Sequence, residues 1–181
     1  MEKATFAGGC FWCTEAIFKR LKGVFSVLPG YSGGSIEYPT YEQVSSGTTG
    51  HAEAVQIEFD SKLIPYEKLL ELFFYTHDPT SFNQQGNDIG PQYRSVIFYH
   101  DEQQKETVEK FVKDLEEKMV YPRPIITTLK PFENFYIAED YHKNYFERNK
   151  DAPYCSYVIG PKIHKLLVEF GKEVKEEYKD N

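Results

Sequence analysis

The sequence predicts a single α+β domain. Stretches with helical periodicity alternate with short strand-like stretches along the whole chain, and no repeat, low-complexity tract or Ser/Gly-rich linker divides them. The 181 residues, 40% of them hydrophobic and 16% aromatic, can form a hydrophobic core without disulfides and are unlike a disordered chain. We therefore treat residues 1–181 as one domain.

The first half of the chain predicts three strands and two helices. A short apolar run at 4–7 predicts a strand that leads into Gly8-Gly9, and residues 14–22 carry apolar side chains at helical spacing. Residues 24–31 and 54–59 show strand patterns, and 66–76 have a helical stripe of Leu and Phe. Residues 35–50 are polar, rich in turn formers and without a clear element.

The second half predicts two strands and three helices. Apolar residues at 95–99 and 125–129 predict strands, and 102–118 form an amphipathic pattern typical of a helix. A short helix is expected from Ala138, inside the aromatic-rich segment 135–146. A charged C-terminal helix is expected over 162–178, with fraying last turns because residues 173–181 offer little to bury.

Charge and cysteine content narrow the function classes. The chain has 21 Lys+Arg against 28 Asp+Glu, a net charge of −7, and no basic block, which argues against nucleic acid or an anionic membrane as partner. The first residues lack a secretory-signal pattern and no 18-residue apolar run exists, so a soluble, cytoplasmic protein is expected. Three cysteines make no disulfide framework and indicate reactive thiols, metal ligands or small core residues.

The sharpest motif is Gly8-Gly9-Cys10-Phe11-Trp12-Cys13, at a predicted junction of strand and helix. Unpaired amides and the positive end of the helix dipole favour thiolate there, so a nucleophilic or redox cysteine is predicted. Metal ligation and plain core packing stay open as alternatives. Phe11 and Trp12 are either packing residues or a cage for a methyl or thioether group.

Other candidate residues lie in polar segments. Glu53 opens a predicted strand, where it is either solvated or, in an aromatic pocket, an acid with a raised pKa. His51 could be a base for Cys10, a metal ligand or a structural donor. Tyr41, Tyr93 and Asp88 lie in turn-rich loops, where exposed side chains without a role are equally common.

In order along the chain run the motifs Gly9-Cys10-Phe11-Trp12, Gly30-Tyr31-Ser32-Gly33-Gly34, Pro39-Thr40-Tyr41, Gly50-His51-Ala52-Glu53-Ala54, His77-Asp78-Pro79-Thr80, Gln85-Gly86-Asn87-Asp88, Gln92-Tyr93-Arg94-Ser95 and Ala138-Glu139-Asp140-Tyr141-His142. Together they resemble the motifs of the peptide methionine sulfoxide reductase A family, from about residue 4 to residue 160. Each motif alone is weak, but the ordered set is specific.

The resemblance implies a fold and an activity. The fold would be a two-layer α+β sandwich with a ferredoxin-like core, a mixed sheet flanked by helices. The activity would be reduction of the S epimer of methionine sulfoxide, free or in proteins. No cofactor or metal is implied.

The resemblance also implies residue roles. Cys10 matches the nucleophile, which becomes a sulfenic acid, and Glu53 matches the proton donor to the sulfoxide oxygen. The residues matching substrate-binding positions are Phe11, Trp12, Tyr41, Asp88 and Tyr93.

Two cysteines could resolve the sulfenic acid into a disulfide that thioredoxin reduces. Cys155 matches a distal resolving cysteine, and it is the favoured choice because a mobile C-terminal segment from about residue 148 could carry it to Cys10. Cys13 is the alternative resolving or relay residue, on the expectation that a bond to Cys10 would unwind the first helical turn.

Two other functions compete. A zinc-binding structural protein would use Cys10, Cys13, Cys155 and His51, although Cys10 and Cys13 have no second matching pair. A cysteine hydrolase would use a dyad of Cys10 and His51, for which the aromatic and tyrosine set offers no purpose.

Overall fold

A six-stranded mixed sheet lies at the centre of the computed structural model, which describes residues 1–179. Its strand order is β7-β6-β1-β3-β2-β8, and all neighbours are antiparallel except β6 and β7. β4 and β5 form a separate hairpin. The strands are β1 (Glu2–Ala7), β2 (Val24–Ser32), β3 (Ala52–Phe59), β4 (Gln84–Gln85), β5 (Asp88–Ile89), β6 (Val96–Tyr99), β7 (Thr128–Pro131) and β8 (Tyr136–Ile137).

Helices flank this sheet. They are α1 (Phe11–Lys19), α2 (Tyr41–Ser45), α3 (Tyr66–Thr76), α4 (Glu102–Glu117), α5 (Tyr145–Arg148) and α6 (Gly160–Phe170). A π-helical turn, Cys155–Ile159, leads directly into α6. Within residues 1–179, no helix combines the length and apolarity that a membrane crossing requires.

The main core lies between the sheet and helices α1 and α3. Phe6 of β1 is fully buried, its ring stacks on Phe73 of α3 with centroids 4.9 Å apart, and Phe18 of α1 lies 5.6 Å away. A second, smaller cluster contains Ala7, Ala52, Ala54, Val96 and Phe98, covered by Phe132 and Phe135. The predicted α+β class with a mixed sheet and flanking helices is thus confirmed.

Most predicted elements are confirmed within a few residues, but α1 begins three residues before the predicted helix at 14–22. Cys10 has extended backbone angles and its carbonyl accepts the N–H groups of Cys13 (3.1 Å) and Thr14 (3.4 Å). Cys10 is therefore the N-cap residue, outside the first helical turn.

The structure corrects three expectations in the middle of the chain. The segment 35–50 contains α2, which a capping box of Thr40 and Gln43 begins. The strand predicted at 125–129 begins at Thr128 and ends at Pro131, on the sheet edge where proline is tolerated. The short helix expected from Ala138 is a single 3-10 turn, Asp140–His142, and α5 begins only after Asn144, which has a left-handed backbone (φ 54°).

The C-terminal helix ends at Phe170, well before the predicted residue 178, and the chain after it is anchored. Val174 is fully buried and forms a β-bridge with Leu21, and the Lys175 N–H donates to the Arg20 carbonyl at 2.9 Å. The Arg20 guanidinium lies 4.7 Å from the ring centre of Tyr178. The expected fraying is therefore wrong for 173–178; residues 180 and 181 lie outside the described part.

This anchoring can be tested with two matched substitutions. Val174→Asp would bury a carboxylate without a partner, so we expect the free energy of unfolding in urea to fall by about 2–4 kcal/mol. Val168→Asp is the control, because Val168 is 66% exposed on α6 and the change there should cost at most about 0.5 kcal/mol. Equal effects of the two substitutions would mean that the tail is not anchored.

Candidate active site

The site is built around the start of α1. Gly9 has a positive φ of 83° and packs so closely that a Cβ there would lie 2.9 Å from the Gln85 side chain. Cys10 follows, 8% exposed. The first free amide of α1, Phe11 N–H, donates at 3.0 Å to Oε2 of Glu53, which comes from β3. A carboxyl group of the sheet thus caps the helix beside Cys10.

Glu53 is almost completely buried, 2% exposed, and pairs across the sheet with Tyr31 of β2. Burial raises the pKa of Glu53 to about 8, and the negative charge of Asp88 adds to this, while the Phe11 amide opposes it. At neutral pH most of Glu53 is therefore protonated. Such a group can give a proton to a bound molecule.

Cys10 and Cys13 are hydrogen-bonded to each other and titrate as a pair. Burial, then Cys13 and Glu53, holds the pKa of Cys10 well above its usual value. The hydrogen bond from Cys10 lowers the pKa of Cys13 to about 7, and Lys162 contributes in the same direction. The expectation that the helix start lowers the pKa of Cys10 is wrong, because burial outweighs the dipole; the pair loses its first proton near pH 7.

The two aromatic residues after Cys10 differ in their surroundings. Phe11 is buried, with ring centres 5.8 Å from Tyr31 and 4.9 Å from His142. Trp12 is half-buried and stacks on Tyr145, with centroids 3.6 Å apart and an angle of 6° between the planes. Trp12 therefore has one ring face covered by the protein.

A partly buried network of polar contacts holds Trp12 and Tyr41 in place. Trp12 Nε1–H donates to His142 Nδ1 at 2.9 Å, and His142 Nε2 lies 3.4 Å from Glu139 Oε2. Glu139 accepts from the Tyr31 hydroxyl (3.0 Å) and from the Tyr41 backbone N–H (2.9 Å). Burial lowers the pKa of His142, so its neutral ring can accept the indole proton. The sequence predicted no role for Glu139 or His142, although both lie in the motif Ala138–His142.

Tyr41 and Tyr93 approach the same position from two other sides. Tyr41 begins α2, and the carbonyl of Tyr93 accepts the Gly9 N–H at 3.2 Å. Burial raises the pKa of both hydroxyls, and the charges of Glu53 and Cys10 contribute. Both hydroxyls therefore remain protonated donors close to Glu53 and Cys10. The structure thus brings together four of the residues that the sequence singled out.

Tyr154, to which the sequence assigned no role, contacts Asp88 and directly precedes Cys155 in the chain. The Tyr154 hydroxyl donates to Asp88 Oδ2 at 2.7 Å and lies 3.7 Å from Cys13 Sγ. The next residue, Cys155, is fully buried in the π-helical turn. Burial raises the pKa of its thiol, and Cys13 contributes. The pKa of Cys10, in contrast, responds to the thiol of Cys13.

His51 is engaged elsewhere. Its Nδ1 accepts from the Gly34 N–H at 3.0 Å, and its Nε2 lies 2.7 Å from the Ile36 carbonyl. With both ring nitrogens bonded to backbone, His51 is a structural residue. In the described range 1–179, no group of three or more His, Cys, Asp or Glu side chains could hold a metal ion. The zinc alternative with Cys10, Cys13, Cys155 and His51 therefore has no support.

Comparison with known proteins places the chain in a family. Residues 2–174 match the family described as peptide methionine sulfoxide reductase. The peptide methionine sulfoxide reductase MsrA of Saccharolobus solfataricus is 54% identical over 175 residues, covering 97% of this chain and 98% of that protein. The corresponding MsrA of Thermus thermophilus is 57% identical over 169 residues, covering 93% and 95%.

Solved structures agree with this assignment. The reduced form of Mxr1 from Saccharomyces cerevisiae matches with a TM-score of 0.77 and 33% identity, over 85% of this chain and 88% of that chain. Mxr1 in complex with Trx2 matches with a TM-score of 0.55 and 26% identity, over 80% and 84%. With nearly the whole sequence matched, the chain belongs to the peptide methionine sulfoxide reductase family.

Proposed function

We propose that this protein catalyses the thiol-dependent reduction of methionine S-sulfoxide, free or in proteins, to methionine. Family membership supports the reaction class, and one observation carries the chemistry. A hydrogen-bonded thiol pair, a carboxyl group with a pKa of about 8 and two protonated tyrosines surround one position at the start of α1. A sulfoxide needs this combination, a nucleophile for its sulfur and proton donors for its oxygen.

In the proposed first step, the sulfur of Cys10 attacks the sulfoxide sulfur, and the proton of Cys10 passes to the neighbouring Cys13 thiolate. Glu53 gives its proton to the sulfoxide oxygen, and Tyr41 and Tyr93 donate hydrogen bonds to it. Oxygen is transferred to Cys10, so methionine leaves and Cys10 becomes a sulfenic acid. Phe11, Trp12 and Asp88 complete the binding site.

In the proposed second step, a thiol attacks the sulfur of the sulfenic acid, a disulfide forms and water leaves. The geometry supports Cys13, which contacts Cys10 directly. Because Cys10 is the N-cap residue, it can move towards Cys13 without unwinding the first turn of α1. The expected unwinding is therefore a weak argument against a disulfide between Cys10 and Cys13. Cys155 reaches either thiol only if the segment from about residue 148 rearranges, and we propose that it then takes over the disulfide.

Thioredoxin is the proposed reductant. The yeast relative Mxr1 is known in complex with Trx2, which supports transfer of the disulfide to a thioredoxin. The three free cysteines suit a reducing compartment, and we propose the cytoplasm.

We also propose that the fold is a two-layer sandwich with a ferredoxin-like core. The succession β1-α1-β2-β3-α3-β6, with the antiparallel order β6-β1-β3-β2, supports this arrangement.

The reaction can be tested by single turnover on L-methionine-S-sulfoxide without a reductant. With one equivalent of substrate we expect about one methionine formed and two thiols lost per wild-type chain, and no methionine from Cys10→Ser, because the attacking sulfur is absent. Cys13→Ser should leave the sulfenic acid long-lived, whereas Cys155→Ser should still lose two thiols. A rapid second thiol loss in Cys13→Ser but none in Cys155→Ser would make Cys155 the first resolving residue.

The role of Glu53 predicts a pH profile for methionine formation. The rate should rise through pH 7, as the thiol pair loses its first proton, and fall above pH 8, as Glu53 loses its own. Glu53→Gln should slow the step at least about 100-fold and remove the falling limb, because the amide cannot give up a proton. An unchanged limb would assign the acid elsewhere.

The network behind Trp12 and Tyr41 gives a third test. Glu139→Gln replaces an acceptor of two hydrogen bonds by an amide that also presents donors, so Tyr41 and Trp12 should shift and kcat/KM should fall about tenfold or more. The fluorescence of Trp12, the single tryptophan, should change as well. Asp140→Asn is the matched control, since that side chain is 93% exposed; equal activity of both variants would contradict the positioning role.

A further inference from the structure

A groove of about 900 Å³ leads away from Cys10. It runs between the end of α3 and the π-helical turn with the start of α6, and the rings of Tyr75, Tyr121 and Tyr157 lie along it. Pockets of this size hold ligands much larger than one amino-acid side chain. Space for several residues therefore adjoins the thiol.

The charge of this groove differs from that of the whole chain. Lys162 and Lys165, three residues apart on α6, both line it, and neither has a carboxylate partner within residues 1–179. The Lys165 ammonium lies 4.0 Å from the ring centre of Tyr75. In a chain with net charge −7, two unpaired lysines on one wall are a local positive surface.

The acidic residues of the groove are already occupied. Asp78 pairs with Arg123 at 3.2 Å and accepts from Thr80, and Asp88 accepts from Tyr154. The lining still has three cationic side chains, those of Arg123, Lys162 and Lys165, against these two carboxylates, so its net charge is positive. This positive charge also affects the thiols, because Lys162 helps to lower the pKa of Cys13.

We propose that this groove binds the polypeptide around an oxidised methionine and favours acidic residues beside it. The inference rests on the proposed function and names the preferred protein substrates. Cys10 at one end of the groove holds the sulfoxide, while Asp or Glu side chains of the substrate pair with Lys162 and Lys165, and the tyrosine rings cover the chain between them. Free methionine sulfoxide does not reach the lysines.

The test compares three peptides with a central methionine S-sulfoxide, flanked on both sides by two Glu, two Gln or two Lys. The second-order rate constant of a single turnover, measured without reductant so that no thioredoxin takes part, should be about three- to tenfold higher for the Glu peptide than for the Gln peptide, and lowest for the Lys peptide. The preference should shrink at 0.5 M salt because the charges are screened.

Two variants assign the effect. Lys162→Gln combined with Lys165→Gln should abolish the ratio between Glu and Gln peptides. Lys165→Gln alone should reduce this ratio, and it leaves the effect of Lys162 on the pKa of Cys13 unchanged. Lys113→Gln, 74% exposed on α4 and outside the groove, should preserve the ratio.

The outcomes separate this inference from the proposed function. Equal rates for all three peptides, with free methionine sulfoxide still reduced, would overturn the proposed peptide preference of the groove and leave the proposed reductase activity intact. A peptide ratio that survives the double substitution, with a raised KM for thioredoxin, would assign the lysines to the reductant and also overturn it. No reduction of any sulfoxide would contradict both.

Discussion

The site depends on one contact, the hydrogen bond from the Phe11 amide to the Glu53 carboxyl. It joins the start of α1 to β3, and it leaves Glu53 beside Cys10, the residue just before that amide. Because the carboxyl is buried to make this contact, its pKa is raised to about 8. A group that caps a helix thereby becomes an acid at neutral pH, and the fold and the proposed chemistry share one constraint.

A second feature that supports the site is the polar network behind Trp12 and Tyr41. Trp12, His142, Glu139 and the Tyr41 backbone form a chain of polar contacts in which only His142 is fully buried, and the buried Tyr31 joins it from the sheet. Such a network favours one orientation of its side chains, because a shift of the His142 or Trp12 ring would break the hydrogen bond between them. Trp12 and Tyr41, the ring and the hydroxyl that we propose contact the substrate, are therefore positioned together.

Local patterns in the sequence predicted most of the helices and strands and the types of residue that form the site. Apolar periodicity predicted α3 and the central strands, since these elements bury one continuous face. It failed where structure depends on distant partners: β8 has two residues and exists through its pairing with β2, and Val174 is buried through Leu21. For α2, the capping pattern of Thr40 and Gln43 could have revealed the helix. The pKa values of Cys10 and Cys13 depend on burial and on their mutual hydrogen bond, which sequence spacing alone does not encode.

The most direct test is the protonation state of Glu53. With ¹³C-labelled glutamate carboxyl groups, the difference between NMR titrations of the wild type and Glu53→Gln isolates this one carbon. We expect it to titrate near pH 8, far above an ordinary glutamate. A titration near pH 4.5 would show that Glu53 is ionised at neutral pH, and it would remove the acid on which the proposed reaction depends.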